Sequence, residues 1–274
     1  MELTVNGRKV FCYTGGRSFD ASLPVVVMLH GAEHDHSVWA LQSRYLAHHG
    51  HAMLVPDLPG HGRSDGPALA SVEAIADWVV ALLDASQAAG AALVGHSMGS
   101  LASLDCAARH PGRITRVALI GTAFPMKVSP ELLEATLADE SRAQQMVSLW
   151  CHSAWAHYPG CPGPGSWLLG GDLRLMQRQK PGVMHTDFAA CNAYAAGFER
   201  ASQLRCPALF ILGRRDVMTP ARSGRELAKK VSGAQVIEIP DCGHALMNEK
   251  PDEVLDALAA FLAPGTTAAN AVSP

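Results

Sequence analysis

The chain has 274 residues, of which 48% are hydrophobic and 17% are charged. This composition is typical of a globular protein with a sizeable core, built as one large α/β domain or as such a domain with an insertion. The formal net charge of −3 gives no reason to expect nucleic acid or an anionic membrane as a partner. No apolar run reaches the ~18 residues that a membrane-spanning helix needs.

The predicted location is the cytoplasm. The first five residues lack the basic and apolar regions of a secretion signal, so no such signal is expected. The seven cysteines are irregularly spaced and include no C-x-x-C pair. This pattern is typical of reduced thiols in a cytoplasmic protein.

The first 121 residues alternate between predicted strands and predicted helices. Short apolar runs bounded by turn signals indicate strands, and stretches with helical spacing that stop at glycines indicate helices. In chain order, the predicted elements are a hairpin with strands 3–5 and 10–13, strand 24–29, helix 39–49, strand 52–55, helix 72–89, strand 91–94, helix 98–109 and strand 117–120. Such alternation predicts a mostly parallel sheet covered by helices on both faces.

The alternation breaks between residues 122 and 201. Helical pieces at 130–150 and 183–198 surround a loop rich in Gly and Pro at 159–165. We therefore predict a helical cap (lid) at 122–201, inserted into a core formed by 1–121 and 202–274. The core resumes with strand 208–212, helix 221–231, strand 235–239 and helix 252–262, and the polar tail 264–274 is predicted to be disordered.

The pentapeptide G-H-S-M-G at 95–99 lies between a predicted strand and a predicted helix. In that setting, G-x-S-x-G forms a sharp turn that exposes the serine, here Ser97, at the end of the strand. A serine hydroxyl is a weak nucleophile unless a base activates it. Its partners are therefore expected in the loops that follow other strands.

Asp216 and His244 each follow a predicted strand. Because the carboxyl ends of parallel strands open on one edge of a sheet, both can meet Ser97 there. His244 is the candidate general base, and Asp216 is the candidate acid that orients it. Thr219, before Pro220, is expected to cap the next helix, so Asp216 is not needed for that role.

Two backbone N–H groups are predicted to form an oxyanion hole. One belongs to Met98, directly after the nucleophile, and the other to Ala32, in the loop after the third strand. His30 is expected to brace that loop and is also a candidate for substrate binding. The run E-H-D-H at 33–36 has metal-ligating residue types, but it is confined to one loop without a partner cluster, so no metal is predicted.

These motifs resemble the α/β-hydrolase superfamily. They occur in the family's order, each at a predicted strand end: H-G at 30–31, D-L-P-G-H-G-R-S at 57–64, the pentapeptide at 95–99, G-R-R-D at 213–216 with Pro220, and G-H at 243–244. The resemblance implies an eight-stranded, mostly parallel sheet with a lid after the sixth strand. It is greatest to small, lidded, cofactor-free bacterial serine esterases.

The predicted function is cleavage of carboxylic esters of small to medium, largely apolar substrates through Ser97, His244 and Asp216 and an acyl-enzyme. No cofactor is expected. The alternatives are a C–C bond hydrolase, a lactonase, a cofactor-free perhydrolase or haloperoxidase, and a ligand-binding protein without turnover. The loop at 31–33 and the histidine at position 96 both differ from the patterns common among C–C hydrolases.

Substrate choice is predicted to lie in the cap. Its large apolar side chains form either an adaptable pocket or the cap's own small core. The candidates are Trp150, Trp155, Tyr158, Trp167, Met176 and Met184. For each residue taken singly, a core role is favoured.

Overall fold

The computed structural model describes residues 1–157 and 167–263, and its centre is one eight-stranded sheet in the order β1-β2-β4-β3-β5-β6-β7-β8. The strands are β1 (Glu2–Val5), β2 (Arg8–Tyr13), β3 (Val25–Leu29), β4 (Ala52–Pro56), β5 (Ala91–His96), β6 (Ile114–Ile120), β7 (Ala208–Gly213) and β8 (Gln235–Ile239). Only the pairings β1–β2 and β2–β4 are antiparallel, and the other pairs are parallel. The predicted α/β fold with a mostly parallel eight-stranded sheet is confirmed.

Eleven α-helices lie within the described residues. They are α1 (Ala40–His48), α2 (Val72–Ala85), α3 (Met98–Arg109), α4 (Pro130–Ala138), α5 (Glu140–Cys151), α6 (Leu168–Met176), α7 (Val183–Ala193), α8 (Gly197–Gln203), α9 (Ala221–Ala228), α10 (Leu246–Glu249) and α11 (Pro251–Leu262). None of these described helices is both long and apolar enough to cross a bilayer.

Two predicted helical pieces are each divided in the structure. The piece at 130–150 breaks at Asp139, which ends α4 and whose side chain accepts the Arg142 N–H at the start of α5. The piece at 183–198 breaks at 194–196, between α7 and α8. Periodicity of apolar residues continues across both breaks, so the pattern does not reveal them.

The hairpin of β1 and β2 follows from its two turn residues. Asn6 and Gly7 both have positive φ, 50° and 75°, as a two-residue turn between antiparallel strands requires. In β7, next to the opposite edge strand β8, consecutive side chains point to opposite faces of the sheet. Phe210 packs in the cluster with α2 and α3, and Ile211 packs in the cluster with α1 and α11. Each fully buried side chain of this size contributes roughly 1.5–3 kcal/mol to folding.

The segment between β6 and β7, residues 121–207, includes the predicted cap at 122–201, holds helices α4 to α8 and is called the insertion below. That this insertion forms a cap domain separate from the core stays a prediction. Met176 and Met184 lie fully buried in an apolar cluster with Val147 and Phe188 of the insertion. The predicted loop at 159–165, Tyr158 and the predicted disordered tail at 264–274 lie outside the described residues.

The six cysteines within the described ranges are free thiols.

Candidate active site

Ser97 occupies a strained turn between β5 and α3. Its φ is 52° and its ψ is −118°, a region that non-glycine residues rarely adopt and that stores of order 1–3 kcal/mol. The Ser97 N–H donates to the Ile120 carbonyl at 3.0 Å. A Cβ on Gly99 would lie 2.5 Å from the Leu29 carbonyl oxygen, and a Cβ on Gly95 would collide with the Gly99 carbonyl. The turn therefore requires glycine at both positions, as the pentapeptide predicts.

The acid and base candidates are hydrogen-bonded to each other. His244 Nδ1 donates to Asp216 Oδ2 at 2.8 Å, and both side chains are buried. Thr219 donates twice to the same carboxylate, from N–H to Oδ1 and from its hydroxyl to Oδ2, each at 2.7 Å. With Nδ1 facing Asp216, the imidazole presents Nε2 on the opposite side of the ring, where a nucleophile's proton can be accepted.

The predicted capping role of Thr219 is wrong. Helix α9 begins at Ala221 after Pro220, and no side chain caps its first turn. The Thr219 hydroxyl instead lies between Asp216 and His244, 3.1 Å from His244 Nδ1. The same threonine hydroxyl can cap a helix or donate to a carboxylate. The sequence therefore does not show which of the two it does.

The backbone of His244 is fixed from two directions. Its N–H and that of Ala245 both donate to the Cys151 carbonyl of the insertion, at 2.7 and 2.9 Å. His96 Nε2 donates to the His244 carbonyl at 2.9 Å. Burial lowers the pKa of His96 well below its ordinary value. His96 is therefore a neutral donor beside the nucleophile, and its ring holds the backbone of His244.

The loop after β3 approaches the nucleophile closely. A Cβ on Gly31 would lie 3.2 Å from Ser97 Cβ, and Ala32 lines the same cavity as Ser97. Met98 is the first residue of α3, where backbone N–H groups have no partner within the helix. The two residues predicted to supply the oxyanion donors thus both lie near Ser97.

His30 lies under this loop. Its Nε2 accepts the Leu58 N–H at 3.0 Å, and its Nδ1 donates to the Gly31 carbonyl at 2.8 Å. Burial, together with the neighbouring His61, lowers the pKa of His30 to about 4. Both ring nitrogens are thus used inside the protein, and His30 braces the loop as a neutral ring.

The cavity next to Ser97 has a volume of about 170 Å³ and a mostly apolar lining. Its lining residues are Ala32, Ser97, Met126, Lys127, Val128, Ser129, Leu132, Trp150, Phe188, Cys191, Val217, Met218 and Thr219. Of the predicted substrate-binding residues, Trp150 is in this set. Met184 lies in the insertion's apolar cluster, and Trp155 and Trp167 are 54% and 75% exposed.

Two residues after β3 and one residue after β4 form a compact cluster. Ligand atoms of Asp35, His36 and Asp57 lie within 4.8 Å of one another. Asp57 Oδ1 accepts from His36 N and Nδ1, and its Oδ2 accepts from the Arg63 N–H. Asp35 Oδ2 accepts from Arg178. These protein donors stabilise the carboxylates without a cation, and the absence of a metal site stays a prediction.

Comparison with known proteins identifies the family of this chain. A family model described as the alpha/beta hydrolase fold matches residues 24–251. The chain belongs to the α/β-hydrolase family. The resemblance inferred from the five motifs is therefore confirmed.

Similar α/β-hydrolases include enzymes of several hydrolytic types. The pimeloyl-[acyl-carrier protein] methyl ester esterase of Chromobacterium violaceum is 32% identical over 87% of this chain and 94% of that protein. The (E)-2-((N-methylformamido)methylene)succinate hydrolase of Acinetobacter baylyi is 23% identical over 86% of this chain and 89% of that protein. The crystal structure of the enol-lactonase from Burkholderia xenovorans LB400 matches with a TM-score of 0.83 and 28% identity, covering 96% of this chain and 99% of that one. These similarities support hydrolase activity for this chain.

Proposed function

We propose that this protein is a serine esterase that cleaves carboxylic esters of small to medium, largely apolar substrates. One observation carries the proposal. The strained turn at Ser97, the hydrogen-bonded pair of Asp216 and His244, and the loop at Ala32 meet at the same edge of one sheet. Each follows a different parallel strand, so only the folded sheet brings them together.

In the proposed acylation step, Ser97 Oγ attacks the ester carbonyl carbon while His244 Nε2 takes the hydroxyl proton. The carbonyl oxygen becomes an oxyanion that accepts from the N–H groups of Ala32 and Met98. Removal of one such donor typically costs about 10²–10³ in rate. When the tetrahedral intermediate collapses, the alkoxide leaves with the proton from His244, and the acyl group stays on Ser97.

In the proposed deacylation step, water replaces the alcohol. His244 takes a proton from the water as the oxygen attacks the acyl carbonyl, and it returns that proton to Ser97 Oγ as the carboxylic acid leaves. Asp216 orients His244 throughout, because it accepts from His244 Nδ1 and is itself held by two hydrogen bonds from Thr219. The steps require only groups of the chain and water.

The cavity supports substrates of modest size. A volume of about 170 Å³ holds roughly six groups of the size of a water molecule or a methylene. The lining is mostly aliphatic, aromatic and sulfur-containing, with Lys127 as the charged residue among the described lining residues. The name of the similar Chromobacterium violaceum enzyme, a methyl ester esterase, supports the same bond type.

A fluorophosphonate probe and p-nitrophenyl esters of increasing acyl length test this proposal. We expect the wild-type protein to be labelled and to hydrolyse short and medium esters, and we expect Ser97→Ala to lose both. Turnover that survives in Ser97→Ala would contradict the acyl-enzyme mechanism. A wild-type protein that is neither labelled nor active would favour the ligand-binding alternative.

A lactonase is the second candidate, because the structural match to an enol-lactonase extends over almost the whole chain. A lactone is a cyclic ester, so the same attack by Ser97 opens the ring and leaves the alcohol attached to the acyl group. Comparison of kcat/KM for a six-membered lactone and its open-chain ethyl ester separates the two. A clear preference for the lactone would replace the esterase proposal with this one.

A further inference from the structure

Buried polar side chains connect the loop at Ala32 to the insertion, and the mechanism above does not use them. They come from three places: the loop after β3, the loop after β4, and helices α6 and α7. Each of the residues concerned, Glu33, His34, His61, Asp172 and Asp187, is at most 8% exposed. Burial of an ionisable group costs folding free energy unless the group is paired, so a cluster of five such groups requires an explanation.

The first connection runs from Glu33 to α7. The Glu33 N–H donates to Asp187 Oδ2 at 2.8 Å, and the same oxygen accepts from His61 Nε2 at 2.8 Å. Burial alone would lower the pKa of His61, but the Asp187 carboxylate outweighs it and raises that pKa above the ordinary value. Asp187 is therefore held in place by His61 while it holds the Glu33 backbone.

The second connection runs from Ala32 to α6. His34 Nδ1 donates to the Ala32 carbonyl at 2.7 Å, and His34 Nε2 donates to Asp172 Oδ1 at 2.7 Å. Burial opposes the charge, yet the Asp172 carboxylate raises the pKa of His34 to about 9. Each ring nitrogen faces an oxygen acceptor, so His34 is an imidazolium that joins α6 to the loop.

The two connections act on the same peptide group. The Ala32 carbonyl and the Glu33 N–H belong to one planar unit, and they point in opposite directions from it. His34 holds the carbonyl side and Asp187 holds the N–H side. Glu33 has a φ of 54°, which costs a non-glycine residue about 1–2 kcal/mol. The hydrogen bonds offset that strain and keep the unusual backbone conformation.

The preceding peptide group is also held. The Gly31 carbonyl accepts from His30 Nδ1 at 2.8 Å, so the Ala32 N–H on the other side of that group points away from His30. Rotation about the backbone bonds of Ala32 would break at least one of these contacts. Its N–H therefore keeps one direction as long as α6 and α7 stay docked.

We propose that Asp187 and Asp172 are positioning residues that hold the Ala32 N–H in the direction an oxyanion donor needs. The insertion thus takes part in the reaction through the loop after β3, in addition to lining the cavity. The proposal rests on the proposed esterase function. It adds that docking of α6 and α7 sets the rate of the chemical steps, since misplacement of a donor by about 1 Å can cost 10²-fold.

Asp187→Ala, compared with Asp187→Asn, tests the proposal. Alanine removes the acceptor, whereas asparagine keeps an oxygen that can accept the Glu33 N–H. With a p-nitrophenyl ester, we expect Asp187→Ala to lower kcat by about 10- to 100-fold with little change in KM. We expect Asp187→Asn to recover most of that loss. Should Asp187→Ala not fold, Asp172→Ala removes the partner that orients His34 on the other side of the same peptide and gives the same test.

Asp105→Ala is the matched control. Asp105 is also fully buried and also joins the core to the insertion, since it accepts from the Tyr194 hydroxyl at 3.0 Å and from Arg200 at 3.2 Å. It lies on α3, away from the loop at Ala32. We expect this variant to lose thermal stability and to keep the wild-type kcat at temperatures where it is folded.

A trifluoromethyl ketone inhibitor gives a second readout. Ser97 adds to its carbonyl, and the resulting oxyanion occupies the hole. We expect its Ki to rise in Asp187→Ala by the same factor by which kcat/KM falls. A folded Asp187→Ala with wild-type kcat and Ki, or an equal loss in Asp105→Ala, would overturn the proposal. Failure of the esterase function itself is distinguishable, because the wild-type protein would then show no turnover that depends on Ser97.

Discussion

At the scale of single residues, Glu33 shows how burial changes the charge that a side chain carries. It is 1% exposed, and only one carboxyl oxygen, Oε1, has a partner among the described residues, the Gln144 amide at 2.9 Å. Burial raises the pKa of Glu33 from 4.5 to about 8. The folded protein therefore keeps this carboxyl protonated at neutral pH, whereas the unfolded chain ionises it.

The consequence is a pH-dependent loss of stability. Between about pH 4.5 and pH 8, the folded state binds one more proton than the unfolded state, so the free energy of unfolding falls as pH rises, by up to about 1.4 kcal/mol per pH unit. Glu33→Gln removes this titration. We expect the variant to gain stability relative to the wild-type protein from pH 5 to pH 8, as measured by urea unfolding.

Glu134→Gln, at an exposed position of α4, is the control for that measurement. It should leave the pH dependence of unfolding as it is in the wild-type protein. If Glu33→Gln and the wild-type protein lose stability in parallel across this range, Glu33 is ionised in the folded state and the interpretation is wrong.

At the scale of elements, the turn from β5 to α3 depends on close backbone approach. We expect Gly95→Ala to lower the free energy of unfolding by about 1–3 kcal/mol or more, because the new Cβ would collide with the Gly99 carbonyl and Ser103. Gly112→Ala is the matched control, since no heavy atom lies within 4 Å of its added Cβ. Chemical unfolding of both variants checks the prediction, and equal stability of the two would contradict it.

At the scale of the whole molecule, the cavity exists only because the insertion lies over the edge of the sheet. Trp150 of α5 lines it beside Ala32 and Ser97. If it limits acyl length, Trp150→Ala should shift the best p-nitrophenyl ester to a longer acyl chain, as measured by kcat/KM across the series. Leu137→Ala, at a position 72% exposed on α4, should leave the profile unchanged. A profile unchanged in Trp150→Ala would place the acyl chain elsewhere.

The sheet and its edge could be predicted because they depend on short-range patterns. The fully buried strands β3, β4, β5 and β7 are mostly apolar segments of five or six residues, and the loop after each predicted strand lies at the strand end wherever the strand pairs. This is why Ser97, Asp216 and His244 could be selected from the many serines, acids and histidines of the chain. The sharp turn at Ser97 could be predicted as well, because glycines at 95 and 99 are required by steric contact alone.

The sequence by itself thus determines the fold class, the sheet edge predicted to hold the candidate catalytic groups and the identity of the candidate triad. Only the tertiary structure decides which side chains hold those groups in place. Glu33 and Asp187 are 154 residues apart in the chain, and His34 and Asp172 are 138 apart. A carboxylate on a helix gives no local sign of a partner at such a distance, because its hydrogen bonds depend on how the insertion docks.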